Sequence, residues 1–185
     1  MKGYLLSVWN ILDPLYFRCT RLNYLPEKEF SKSIFRVRLT CYKGQDVILS
    51  DEIQIKKNDT LVKIHLHNAR LLHELKHIKS EVKRAKIIYR SVQSSLPGIE
   101  EYVRNHKSSN DIKGIIGITV LNKVCDRLGF EVVDISTPVY RNLKWLTFLS
   151  INILSSPKPW SSIFKHPAPS YLFMSKEKLT KLYKT

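Results

Sequence analysis

The sequence predicts an α+β protein, in which an antiparallel block of strands packs against one long amphipathic helix and a second group of strands with shorter helices follows. Apolar and polar residues alternate strictly over residues 34–42, a pattern typical of a half-buried strand. Apolar residues then recur at intervals of three and four over residues 71–96, which is typical of one face of a helix. Further strand-like segments follow at residues 112–120 and 130–135.

Length and composition indicate a globular chain with one core. The 185 residues are 43% apolar and 25% charged, which excludes a disordered chain, a collagen-like repeat and a disulfide-stapled miniprotein. We therefore expect a single domain over residues 1–185. The 31 Lys and Arg residues against 16 Asp and Glu give a net charge of +15, which favours an anionic partner such as acidic lipid, a phosphorylated ligand or nucleic acid.

Cysteine usage and hydropathy predict a cytoplasmic protein. Cys19, Cys41 and Cys125 are odd in number and lack CxxC spacing, which favours a reducing compartment over a disulfide framework. The apolar segment at residues 143–154 would be a helix of about 18 Å, too short for a hydrocarbon layer of about 30 Å. Such a helix can lie flat at a bilayer surface, so peripheral association with the inner face of the membrane remains open.

The first half of the chain is predicted to hold a helix followed by strands. The helix is expected over residues 4–25 and the strand pattern at 34–42 follows it. Short strands are expected at 47–49 and 53–55, and a longer one at 61–67. Period-two alternation places one set of side chains of the two long strands on the core side. The opposite, polar side carries Arg36, Arg38, Thr40, Tyr42, Lys63, His65 and His67.

The long helix is predicted over residues 69–95. Asn68 is placed to cap its start, and Pro97 with Gly98 is expected to end it. Its apolar seam packs on the sheet or, as an alternative, pairs with a second copy of the chain as a homodimer. The seam consists of Leu71, Leu75, Ile78, Val82, Ala85, Tyr89, Val92 and Leu96. The later predicted elements are a helix (99–106), a strand (112–120), a helical turn closed by Gly129, two strands (130–135 and 171–174) and a helix from Lys176.

A cationic row accompanies the seam on this helix. Like charges one turn apart destabilise a helix by some tenths of a kcal/mol per pair, so the row is unfavourable unless an anionic partner lies alongside. The row predicts binding to the phosphates of a lipid surface or a nucleic acid, and the alternative is an ordinary solvated helix face. The row consists of Lys76, Lys79, Lys83, Lys86 and Arg90.

The polar side of the two long strands predicts a ligand site. If the strands are neighbours in one sheet, their guanidinium, ammonium and imidazole groups share a surface that suits a phosphate or a carboxylate. The alternative is the ordinary solvated face of an antiparallel sheet. We call this predicted site the ligand face, and it consists of Arg36, Arg38, Lys63, His65 and His67.

Residues 73–77 read HELKH and match the H-E-x-x-H signature of zinc metallopeptidases. The chemistry needs two imidazoles one helical turn apart to bind Zn²⁺. Lys76 would repel the cation, and a third ligand would have to come from Glu100 or Glu101. We therefore expect no metal cofactor. The alternative is a small zinc peptidase with His73 and His77 as ligands and Glu74 as the base.

Four stretches of the sequence resemble the YkoP-like domain family of bacteria. Residues 9–14 contain WN and DP, and residues 35–39 read FRVRL. Residues 57–68 contain KND and HLHN, and residues 112–119 read IKGIIGIT. The resemblance spans about residues 4–180. Because such domains also occur attached to polysaccharide deacetylase domains, it implies a role in cell-envelope polysaccharide metabolism. It implies no deacetylase activity for this chain, which lacks an Asp-Asp pair with HxxxH.

These observations together favour a binding or accessory protein over an enzyme. The ligand face would take an anionic ligand, such as a phosphorylated or glycan ligand, and the cationic row would attach the protein to an anionic lipid surface. A nucleic-acid-binding protein is a further alternative, because the charge fits. Against that alternative, the sequence contains no RNP-type aromatic motif, no zinc-finger spacing and no clear helix-turn-helix.

Overall fold

A mixed sheet of six strands lies at the centre of the part of the chain that the structure describes. The computed structural model describes residues 22–25, 33–75, 77–78, 80–119, 125–136, 138, 141–142 and 168–184. In spatial order the strands are β1 (Asn23–Tyr24), β2 (Phe35–Cys41), β5 (Thr60–Leu66), β6 (Ile112–Thr119), β8 (Ser170–Ser175) and β7 (Glu131–Asp134). A separate hairpin pairs β3 (Val47–Ile48) with β4 (Gln54–Ile55).

Helices connect and cover the strands, which confirms the predicted α+β class. They are α1 (Asn68–Leu75), α2 (Glu81–Asn105) and α3 (Lys176–Tyr183), and single 3-10 turns occupy Ser109–Asp111 and Asp126–Leu128. Strands β5 and β6 are parallel, whereas the other neighbours in the sheet are antiparallel. Because parallel neighbours need a long crossover, α1 and α2 fill that connection. The long strands of both predicted groups therefore belong to one sheet, whereas the short strands β3 and β4 form the separate hairpin.

One face of the sheet carries the main core. Its side chains alternate along the strands as predicted, so that Val37, Val62 and Ile115 are fully buried. Leu96 of α2 and Leu179 of α3 are also fully buried against this face. Burial of each such aliphatic side chain contributes about 1.5–3 kcal/mol, so this layer holds both helices on the sheet.

The opposite face carries a second, smaller core at one end. Tyr42, Leu61 and Phe173 are buried there, with the ring of Tyr42 edge-on to that of Phe173 at 5.4 Å. The β3–β4 hairpin adds Leu49 and Ile55 to the same cluster. The prediction of a polar face along its whole length is therefore wrong at Tyr42. Alternation places that ring on the second face, but the hairpin covers this end of the face.

The helix predicted over residues 69–95 is divided in two. Helix α1 ends at Leu75, and Ser80 caps α2 by accepting a hydrogen bond at its hydroxyl from the Lys83 amide at 3.4 Å. A serine side chain at this position satisfies an amide that would otherwise lack a partner, which favours a new helix start.

Helix α2 then continues through Pro97, so the predicted end at Pro97 and the separate helix over 99–106 are wrong. Proline in a helix interior costs about 3 kcal/mol. Leu96 and Ile99 on either side of it are fully buried, and Val103 is 2% exposed. Burial of these three side chains outweighs the local cost, because each contributes about 1.5–3 kcal/mol.

The predicted apolar seam is buried only at its ends. Leu71, Leu75 and Leu96 are buried, whereas Val82 is 80% exposed. Every residue from 82 to 90 is exposed or half-buried. The first half of α2 therefore presents most of its surface to solvent, and pairing with a second copy through this segment stays a prediction.

Other local predictions are confirmed where the structure describes them. The strands near residues 112–120, 130–135 and 171–174 are present as β6, β7 and β8, and Gly129 closes its turn with a φ of 84°. Asn23–Tyr24 form a strand, so the helix predicted over residues 4–25 is wrong at its end. The rest of that prediction and the apolar segment at 143–154 lie outside the described residues. No helix in the described ranges has the length and hydropathy needed to cross a bilayer.

Candidate functional site

The ligand face is brought together on two neighbouring strands. In the antiparallel register of β2 and β5, Arg36 lies opposite His65 and Arg38 lies opposite Lys63. His67 continues this row, since its amide donates to the carbonyl oxygen of Ile34 at 2.8 Å. Directly opposite residues on an antiparallel pair point to the same face. The two long strands are therefore neighbours in one sheet with their polar sides on the same face, as the ligand-face prediction required.

Burial distinguishes this surface from an ordinary solvated sheet face. Arg36 is 2% exposed, and the other four members are half-buried. Charged side chains are rarely buried to this degree unless they are paired. Arg36 accordingly belongs to the interior of the fold, and the four half-buried members form the part of the ligand face that solvent reaches.

Arg36 connects three elements through a cluster with Tyr24 and His67. Its Nη2 lies 2.6 Å from Nε2 of His67 and donates to the hydroxyl of Tyr24 at 2.8 Å. The guanidinium also lies 5.0 Å from the centre of the Tyr24 ring, within the range of a cation–π interaction. The sequence did not identify Tyr24, because it falls in the stretch for which a helix was predicted.

Tyr42, which the sequence placed on the polar side of its strand, does not present its hydroxyl on an open surface. The ring is buried in the second core, and its hydroxyl donates to the carbonyl oxygen of Gln45 at 2.8 Å. Burial, with a smaller contribution from Asp46, raises the pKa of Tyr42. This tyrosine therefore acts as a packing residue of the hairpin.

Three members of the cationic row form an exposed face on the first half of α2. Lys83, Lys86 and Arg90 are exposed, and at 100° per residue they span an arc of about 60°. We call these three residues the α2 cationic face. The side chains of Lys76 and Lys79, the first two members of the predicted row, lie outside the described residues.

The α2 cationic face forms no ion pair with a carboxylate of the described residues, which is also true of other exposed lysines such as Lys57, Lys113 and Lys181. Other basic residues of the described ranges do form ion pairs. They are Arg70 with Glu74 at 3.2 Å, Arg104 with Glu100 at 3.2 Å and Lys178 with Glu131 at 3.1 Å. Within the described residues, the charges of Arg70, Arg104 and Lys178 are therefore neutralised by an ion pair, whereas those of the α2 cationic face are not.

The H-E-x-x-H motif does not lie on one continuous helix. Exposed His73 is in the last turn of α1, whereas His77, also exposed, is in the turn that follows Leu75. Glu74 accepts from Arg70, and buried Glu100 accepts from Arg104. Over the ranges that the structure describes, no three His, Cys, Asp or Glu side chains lie close enough to hold a metal ion. His73 and His77 therefore do not lie on one described helix, and zinc binding by this motif stays a prediction.

A small cleft opens beside the Arg36 cluster, between β1, β2 and α1. Arg70 of α1 lines it, and its Nη1 donates to the carbonyl oxygen of Ser33 at 3.2 Å. Sequence reasoning did not select Arg70 or Ser33, since neither belongs to a motif. The cleft has a volume of about 100 Å³ and is lined by Tyr24, Leu25, Ser33, Phe35, His67 and Arg70.

Comparison with known proteins identifies the family. The model of the YkoP domain matches residues 2–183. A Bacillus subtilis (strain 168) protein described as "Uncharacterized protein YkoP" is 50% identical over 184 residues, which cover 99% of this chain and 98% of the relative. No solved structure matches the chain. The match over nearly all residues, together with the resemblance already noted in four stretches, shows that this chain belongs to the YkoP domain family.

Proposed function

We propose that this protein is a binding or accessory protein that attaches to an anionic lipid surface through the α2 cationic face. One observation carries the proposal: Lys83, Lys86 and Arg90 are exposed within a narrow arc and form no ion pair with a described carboxylate. Each Lys or Arg near an anionic membrane contributes about 1 kcal/mol. Three such residues therefore contribute roughly 3 kcal/mol, which corresponds to reversible, salt-sensitive attachment.

Exposed Val82 favours lipid over nucleic acid as the partner. This side chain is 80% exposed and is adjacent in sequence to the cationic face. An apolar side chain next to cations fits the boundary between headgroups and acyl chains, where both are stabilised. A nucleic-acid backbone offers phosphates but no apolar layer, so it leaves Val82 in water.

The ligand face would give the attached protein its specificity. Four half-buried cationic or imidazole side chains, which lie on β2, on β5 and directly after β5, would face an anionic group of a phosphorylated or glycan ligand. The cytoplasmic location and the context of cell-envelope polysaccharide metabolism are part of the same proposal, and the second of these derives from the family resemblance alone.

Vesicle flotation tests the attachment. The protein is mixed with neutral phosphatidylcholine vesicles or with the same vesicles containing phosphatidylglycerol, at low and high salt. We expect binding to the anionic vesicles that weakens as salt rises. The combined variant Lys83→Gln, Lys86→Gln and Arg90→Gln should bind them roughly 100-fold more weakly, the equivalent of about 3 kcal/mol.

A matched variant controls for total charge. Lys57, Lys113 and Lys181 are exposed and lie on other elements, so changing all three to Gln removes the same charge. If the control variant loses as much binding as the α2 variant, or if neutral vesicles bind as well as anionic ones, the proposal is wrong. A salt-sensitive gel shift with DNA or RNA that is lost only in the α2 variant would assign the face to nucleic acid instead.

A further inference from the structure

We infer that the cleft between β1, β2 and α1 binds a single phosphate group. The cleft is separate from the α2 cationic face, and the inference does not depend on membrane attachment. Two of the residues that line the cleft, Arg70 and Ser33, do not belong to the ligand face.

The size of the cleft determines what it can hold. Its volume is about 100 Å³. Sites for drug-sized molecules begin at about 300 Å³, and one water molecule occupies about 30 Å³ of liquid. The cleft therefore has room for a few waters or for one compact group, and a larger ligand would have to leave most of its atoms outside.

Arg70 is held in position to receive an anion. Its Nε donates to Oε1 of Glu74 at 3.2 Å, and its Nη1 donates to the carbonyl oxygen of Ser33 at 3.2 Å. These two contacts orient the planar guanidinium along the wall of the cleft and occupy two of its five N–H donors. A fixed guanidinium with remaining donors is well suited to bind phosphate oxygens, because little conformational entropy is lost on binding.

The distribution of polar lining residues around the cleft favours a tetrahedral anion over a planar one. Ser33 accepts a hydrogen bond at Oγ from the amide of Phe35 at 3.1 Å, so its own O–H can donate. Tyr24 lies on β1, Ser33 lies just before β2 and Arg70 lies on α1, so the polar lining residues come from three separate parts of the chain. A phosphate group has oxygens in as many directions, whereas a carboxylate has two oxygens in one plane.

The local charge also favours an anion. Arg36 contacts two residues that line the cleft, since its Nη2 lies 2.6 Å from Nε2 of His67 and 2.8 Å from the hydroxyl of Tyr24. Among the described residues, Arg36 and Arg70 bring two positive charges to this region, and Glu74 brings one negative charge. A bound phosphate would be attracted by the remaining positive charge at short range.

A titration with inorganic phosphate, followed by amide NMR and by calorimetry, tests the inference. We expect saturable shifts of the Ser33, His67 and Arg70 amide signals. Arg70→Gln should weaken phosphate binding about tenfold or more, and Arg70→Lys should lose less. Ser33→Ala leaves the ion pair intact and should weaken binding roughly fivefold, so the inference can be tested even if Arg70→Gln does not fold.

Two further ligands and one variant complete the experiment. Glycerol 3-phosphate that binds as well as inorganic phosphate would show that the cleft takes a phosphate ester at the end of a larger molecule, whereas binding of the inorganic ion alone would show a site for the free ion. The α2 variant should bind phosphate unchanged even if flotation fails. The inference is wrong if acetate binds as tightly as phosphate, if the cleft amides do not shift, if Arg70→Gln and Ser33→Ala bind as the parent does, or if the α2 variant loses the binding.

Discussion

Nη2 of Arg36 lies 2.6 Å from Nε2 of His67, and because a guanidinium can only donate, Nε2 of His67 must accept. The ring proton is therefore on Nδ1. While this hydrogen bond is present, Nε2 of His67 is not available to another donor or to a metal ion. Arg36 also donates to Tyr24 at 2.8 Å, so the same side chain joins β1 to β2 and to the end of β5.

We expect nitrogen NMR to find the Nδ1–H tautomer of His67 at neutral pH. Long-range couplings from the ring protons report which nitrogen carries the hydrogen, and exposed His73 on α1 serves as an internal reference. Arg36→Met removes the donor and should allow the Nε2–H form to appear. A signal for protonated Nε2 in the unaltered protein would contradict the contact.

Two residues of the predicted seam should respond very differently to truncation. The side chain of Leu96 is fully buried in the main core, whereas that of Val82 is 80% exposed to solvent. Leu96→Ala should cost about 2–5 kcal/mol of unfolding free energy, because it leaves a cavity beneath α2. Val82→Ala should change that free energy by less than about 0.5 kcal/mol. Urea denaturation measures both, and equal losses would mean that the seam is buried along its length.

Glu131 should make stability depend on pH at the edge of the sheet. It accepts from the amide and hydroxyl of Ser50 at 2.8 and 2.7 Å and pairs with Lys178. Burial alone would raise the pKa of Glu131, but these hydrogen bonds and the ammonium together lower it. A lowered carboxyl pKa adds stability above the unfolded value of about 4.3, and that stability is lost as the pH falls through the folded value.

Glu131→Gln should therefore destabilise the protein by roughly 1 kcal/mol at neutral pH. The difference from the parent should vanish in acid, once the carboxyl of the parent is protonated. Glu52→Gln, an exposed change in the β3–β4 hairpin that also contains Ser50, should have no such pH-dependent effect. A loss of stability from Glu131→Gln that persists unchanged in acid would show that the charge of Glu131 is unimportant.

In the folded protein, Cys125 should react with a thiol reagent much more slowly than Cys41. Burial, with Asp126 adding to it, raises the pKa of Cys125 to about 11, whereas Cys41 is exposed. The thiolate is the reactive form, and at about pH 8 only about one Cys125 in a thousand would carry it. Peptide mass spectrometry after treatment with iodoacetamide should show that Cys41 is alkylated before Cys125. The peptide that contains Cys19 is measured separately. In urea, Cys125 should react as fast as Cys41, and equal rates in the folded protein would contradict the burial.

The strand β2 shows what the sequence pattern could predict. The alternation from Phe35 to Cys41 predicted both the strand and the side on which Arg36 lies, because successive strand residues point to opposite faces. Pro97 shows where this reasoning fails. Its local preference to end a helix was outweighed by the burial of Leu96 and Ile99, which a local pattern does not contain.

The same distinction applies to the candidate sites. The sequence alone determined the excess of cations, the rows in which they recur and the polar side of each strand, because these follow from composition and from the periods of helix and strand. Only the tertiary structure decided that Arg36 faces His65, that the hairpin covers Tyr42 and that Arg70 reaches Ser33 across 37 positions of chain. Those relationships depend on which distant segments pack together, and that is settled by burial and hydrogen bonding summed over the whole fold.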